Sequence, residues 1–194
     1  MPVVMFDRVT NESLCDKVII DDKYAAYEAV QSLIDKGRKK IALVTTVDYV
    51  SVGKLRTDGY IKALLDNDIP FNENLIIKIE DVDTCEITIG KLLEDKAIDA
   101  VFAVNELFAV TIIKTANKIG LNVPNDLAVI AFTDGIISKY STPTITTVSQ
   151  SGIKMGNKAA KMLIDRLESE EDEEDENYKT EVIETHLIER ESTN

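Results

Sequence analysis

The sequence predicts an α/β fold, a parallel sheet with helices on both faces in a three-layer sandwich, and three observations carry that expectation. Short apolar runs alternate with stretches of helical periodicity. The runs are apolar at successive positions instead of every second one. Most of them end in polar residues. A strand covered on both faces needs apolar side chains above and below the sheet, and strands separated by helices are joined by crossovers, as parallel neighbours require.

Each element follows from its own residues. Pro2 to Phe6 is an apolar run ending at Asp7-Arg8, and Val18-Ile19-Ile20 is a second short strand ending at Asp21-Asp22. Ala25, Ala26, Ala29, Val30, Leu33 and Ile34 then recur at three- and four-residue steps, and Gly37 closes the helix. Ile41 to Val44 is a buried strand with Thr45-Thr46 at its end. Residues 51–66 read as a helix through Leu55, Tyr60, Ala63 and Leu64. A strand over Leu75 to Ile79, a helix over 84–95, a strand over Ala100 to Val104 and a helix over 106–119 with Gly120 behind it continue the alternation. Pro124-Asn125 punctuates the chain before the strand Leu127 to Phe132, and Thr142-Pro143 marks a turn before a strand ending at Val148. A helix over 151–168 and one strand around 182–188 complete the chain. The first strand and the helix after Val148 do not fit the same sheet, so the chain is expected to leave one lobe and return to it.

Residues 168–176 are acidic at every position but Ser169, and they supply much of a formal charge of −13. Such a run repels itself and reads as a solvated loop. No Lys/Arg stripe is present to neutralise a phosphate backbone, so nucleic acid is not an expected partner of these residues themselves. No apolar run reaches membrane-spanning length and the N-terminus lacks a signal-peptide pattern, which predicts a cytoplasmic protein with no membrane partner. Cys15 and Cys85 lack metal-ligand or redox spacing, and His186 is the only histidine. No phosphate loop or nucleophile elbow is present; Val52-Gly53-Lys54 is a lone glycine before a helix. Hence no catalytic residue, metal site or cofactor is expected, and the protein is not read as an enzyme.

Polar residues at the carboxyl ends of strands are the candidate site. A parallel sheet brings such ends to one rim, where open α/β sheets bind ligands. Asp7, Arg56, Asn105, Thr133 and Asp134 lie there: a donor fork, an amide that donates and accepts, a hydroxyl and two carboxylates. That set suits the hydroxyls of a sugar or polyol better than proton-transfer chemistry. The same residues also have a purely structural reading, with Asn105 and Asp21 as helix N-caps and Arg56 as an exposed helix cation.

Several segments resemble the lactose-repressor (LacI/GalR) family, in matching order and spacing over nearly the whole chain: PVVMFDR, VIIDDKYAAYEAVQSLIDKGRKKIALVT, LRTDGYIKAL, AVFAVNELFAV, VPNDLAVIAFTDG, TPTITTV and HLIEREST. The resemblance implies the effector-binding domain of a transcriptional repressor, of the periplasmic-binding-protein-like type. Two lobes would close on a small sugar or polyol, a homodimer would form, and operator DNA would be bound through an N-terminal headpiece absent here. One complete lobe and part of a second are then expected: 1–17 a partial N-lobe strand, 18–147 the C-lobe, 148–168 a return helix, 169–179 the acidic loop, and 180–194 a C-terminal strand of the C-lobe. Effector contacts carry over to Asp7, Arg56, Asn105 and the pair Thr133-Asp134, where a hydroxyl replaces the first carboxylate of the family pattern. With part of the first lobe outside the chain, weak or no effector affinity is expected for these residues alone. A periplasmic sugar-binding protein of a transport system is the alternative, because the fold is shared.

Overall fold

The computed structural model describes residues 1–10, 12–46, 51–95, 97–169 and 177–194. The chain divides into two compact units, one of Met1–Asp21 with Gln150–Thr185 and the other of Asp22–Ser149 with His186–Asn194.

The second unit holds a six-stranded sheet in the order β4-β3-β5-β6-β7-β9. Its strands are β3 (Ile41–Thr46), β4 (Ile76–Ile79), β5 (Ala100–Ala103), β6 (Ala128–Phe132), β7 (Thr146–Ser149) and β9 (His186–Ile188). The first five run parallel; β9 pairs antiparallel with β7, Val148 opposite Leu187. β5 and β6 are buried at every position, and β3 at all but Thr46, as the unbroken apolar runs require. Helices α1 (Asp22–Asp35) and α2 (Ser51–Asp66) pack on each other, as do α3 (Cys85–Leu93) and α4 (Glu106–Lys118), so two helical pairs serve the two faces.

The α1 stripe Ala25, Ala26, Ala29, Val30 and Leu33 is buried as its periodicity predicts. α2 can approach it closely because position 59 is glycine: a Cβ there would lie 2.2 Å from the Lys23 carbonyl oxygen. Tyr60, fully buried on α2, donates its hydroxyl to the Ile41 carbonyl at 2.8 Å, and burial pushes its pKa up. The C-terminal residues lock β6 to β7. Ser192 Oγ donates to the Val129 carbonyl at 2.6 Å and accepts from Thr146 N at 2.8 Å, while Thr193 and Thr146 join hydroxyls at 2.7 Å.

The first unit is a three-stranded parallel sheet, β1 (Val4–Phe6), β2 (Asp16–Ile19) and β8 (Thr180–Val182) in the order β1-β2-β8, with α6 (Gly152–Glu168) on β1 and β2. α6 buries Met155, Ala159 and Met162 and leaves Ile153 (83% exposed), Ile164 and Leu167 exposed. Asp16 clamps the unit. Its carboxylate accepts from Arg166 of α6 and from Lys179 N at 2.7 Å, and the Arg166 bond outweighs the opposing effect of burial to hold its pKa below the ordinary carboxylate value.

Four expectations need correction. The segment 182–188 is two strands in different sheets, β8 and β9, because Ile183 donates to the Ile19 carbonyl and the chain leaves the small sheet just after it. Val18 and Ile19 belong to the small sheet, since β2 pairs with β1 from Val4–Asp16 onward; the units therefore divide after Asp21, Ser149 and Thr185 instead of at 17, 147 and 179. A short helix, α5 (Ile136–Tyr140), fills a stretch for which no element was expected, and the expected helix 84–95 runs only over Cys85–Leu93, with Thr84 closing a 3₁₀ segment, Val82–Thr84. The acidic loop falls largely on 170–176, outside the described residues.

Candidate functional site

The sheet order places a topological switch between β3 and β5. The chain leaves β3 through α2 for β4 on one side, then returns through α3 to β5 on the other. Loops from the carboxyl ends of these two strands diverge there, and ligands of open α/β sheets bind in the resulting crevice.

Arg56, from α2, is not an exposed cation. Its residue is 6% exposed, Nε donates to Asp22 Oδ1 at 2.7 Å, Nη1 donates to the Val104 carbonyl at 2.9 Å, and its guanidinium carbon lies 3.7 Å from the centre of the Phe132 ring. It thus braces α1, α2 and the ends of β5 and β6 around the switch point. Asn105 is the N-cap of α4, with Oδ1 accepting from Phe108 N at 2.8 Å, so its structural reading holds in full. Thr45, at the end of β3, buries a hydroxyl with no hydrogen-bond partner among the described residues.

The β6–α5 turn carries the other two candidates. Thr133 is exposed, in a left-handed conformation (φ 75°), with its N–H bonded to the Val148 carbonyl. Asp134 turns inward. Its Oδ1 accepts from Arg190 Nη2 at 2.5 Å and Thr147 Oγ1 at 3.1 Å, and Oδ2 lies 3.3 Å from Lys139 Nζ. Burial works to raise its pKa, but the bonds from Arg190 and Lys139 outweigh that and hold it below the ordinary carboxylate value. Glu106, next to Asn105, reaches the same turn: Oε1 accepts from Gly135 N at 2.7 Å and Ser138 N at 3.0 Å. It caps α5, whose own N-cap is a glycine, and a Cβ at Gly135 would meet that carboxylate.

Arg56, Asn105, Thr133 and Asp134 therefore share one rim of the larger unit. Asp7 lies in the smaller unit, half-buried at the end of β1, with a left-handed backbone (φ 63°) and its N–H on the Val18 carbonyl. Sequence reasoning missed Asp22 and Arg190 as partners of the site and Glu106 as the tie between its loops. The signal for Arg190 was its place in the HLIEREST segment; for Asp22, it was a charge at the start of an amphipathic helix. Helix α4 buries Phe108, Ile112 and Ile113 within its own unit. Among the described residues no group of acidic, histidine or cysteine side chains could hold a metal ion, and no helix is long and apolar enough to cross a membrane.

A doubly wound sheet with a polar rim at its switch point is the arrangement at which open α/β sheets bind ligands. Residues 30–193 match the periplasmic binding protein-like domain, and the chain belongs to that family. It is 35% identical over 175 residues to the HTH-type transcriptional regulator MalR of Clostridium butyricum, covering 89% of this chain and 51% of that protein. The structure of the transcriptional regulator CelR with cellobiose superposes with a TM-score of 0.87 at 30% identity, over 97% of this chain and 58% of that one. A LacI family regulator from Enterococcus faecium with bound ribose gives 0.86 at 26% identity, over 99% and 70%. The chain spans about half the length of the curated relatives it matches.

Proposed function

We propose that this chain is the ligand-sensing region of a LacI-type transcriptional regulator, working in the cytoplasm as a homodimer, with a small sugar or related polyol bound at the rim of the larger unit. The observation that carries this is the cluster at the β3/β5 switch point. There Arg56 braces the β5 loop through the Val104 carbonyl, and Glu106 ties that loop to the turn bearing Thr133 and Asp134. Amide, hydroxyl and carboxylate on two coupled loops match the alternating donors and acceptors of a sugar. Operator DNA would be reached through a headpiece outside these residues; the ligand would act by favouring one of two arrangements of the regulator for which it has unequal affinity.

The similar proteins are transcriptional regulators, so catalysis is not part of the proposal. Those relatives also favour regulation over transport. A melting series with D-ribose and cellobiose tests the ligand reading. Tm should climb with sugar concentration, because a ligand that binds only the folded state stabilises it by mass action. A midpoint unmoved by either sugar at tens of millimolar, about ten-thousandfold above a micromolar site, would count against it.

A further inference from the structure

The two oxygens of Asp134 have unlike partners. Oδ1 is held by Arg190 Nη2 and Thr147 Oγ1, and that guanidinium is fixed in turn, since Nη1 donates to the Ile145 carbonyl at 2.7 Å and to Thr147 Oγ1 at 3.0 Å. The Arg190 and Asp134 side chains are only 16% and 13% exposed, so this network is little screened by solvent. Oδ2 faces Lys139 Nζ at 3.3 Å, longer than a good charge-assisted bond, on a side chain that is 51% exposed. A hydrated ammonium on a flexible stem gives way far more readily than a forked guanidinium held at three points.

Building on the ligand reading above, we propose that Asp134 divides its carboxylate between an anchor and a placeholder. Arg190, supplied by the C-terminal segment, is a positioning residue that fixes Oδ1. Lys139 occupies Oδ2 until a ligand hydroxyl displaces it by donating its own hydrogen bond to that oxygen. The two cations on one carboxylate then have opposite effects on binding. Loss of Arg190 lets the acceptor turn away from the ligand, whereas loss of Lys139 removes a competitor. Two merely structural ion pairs would both weaken binding when broken.

The test is an amide-shift titration of the ¹⁵N-labelled 194-residue chain with D-ribose and with cellobiose, carried into the millimolar range and repeated on K139Q, R190Q, R190K and D134N. K139Q is expected to bind about threefold more tightly, the worth of an exposed ion pair. R190Q should bind about tenfold more weakly, the worth of one charge-assisted bond, with R190K between it and the parent. Equal or weaker binding by K139Q, with D134N impaired, overturns the division of labour but keeps the rim as the site. D134N binding like the parent, or no shift in any protein with either sugar, overturns the ligand reading and this inference together. If R190Q does not fold, the sign of the K139Q effect decides.

Discussion

The two units reach order by different means. In the larger one, β5 and β6 expose no residue, and the fully buried Tyr60, Phe102, Phe132, Leu43 and Ile130 form a core between helical layers. In the smaller one the sheet has three strands, and Val3, Phe6, Leu14 and Val182 join Ile153 and Leu167 in solvent. Apolar burial, at about 25 cal/mol per Å², is the main stabilising contribution in a domain. The larger unit has that contribution in full, while the smaller one depends more heavily on a few polar contacts around Asp16. The lesson is that a buried ion pair does different work in each. Arg56–Asp22 braces the polar rim of a unit with a large apolar core, whereas Asp16–Arg166 joins α6, β2 and the start of β8 in a unit with a smaller one.

Substitutions can sharpen or break that contrast. The largest effect is expected from Arg56→Met, which leaves Asp22 charged and buried and should lower unfolding stability by about 3–5 kcal/mol. Adding Asp22→Asn should return part of the loss, and urea melts of the two single variants and the double variant measure it. Gly59→Ala drives a methyl into the Lys23 carbonyl and should cost about 1–3 kcal/mol by the same assay. Asp16→Asn should cost about 1–3 kcal/mol, but the loss should appear as faster amide exchange in β1, β2 and β8, with β5 and β6 unchanged.

This last variant also has a pH signature. The folded-state pKa values of Asp16 and Asp134 lie below the unfolded value of about 3.9, so their stabilisation is complete above that pH and is lost as pH falls through the folded values. Asp16→Asn should therefore flatten the acid limb of the stability curve below about pH 4. Asn105→Ala removes the α4 cap and should cost about 1 kcal/mol in urea melts. The smallest change, within about 0.5 kcal/mol, is expected for Ile153→Lys, whose side chain packs on little; a larger loss would mean that α6 hides more of its face than its exposure suggests.

What was legible in the sequence was local. The runs Ile41–Val44 and Leu127–Phe132 announced doubly covered strands, and Asn105 announced an N-cap three residues before the amide it binds. What was not legible depended on residues distant in sequence. An arginine on a helix looks exposed until Asp22, 34 positions away, closes on it, and Asp134 finds Arg190 56 positions on. The break between β8 and β9 spans only Ile183 to Thr185, too short to interrupt an extended pattern, and its cause is the partner each strand meets. Helix α5 escaped notice because the carboxylate capping it comes from Glu106, on another loop.

Hydrogen exchange followed by mass spectrometry, with and without saturating D-ribose or cellobiose, tests the central claim most directly. β3, β5 and β6 should exchange last, the strands of the smaller unit sooner, and sugar should add protection at residues 104–106 and 133–138. Sugar-dependent protection that avoids both loops would contradict the assignment of the ligand rim to the β3/β5 switch point.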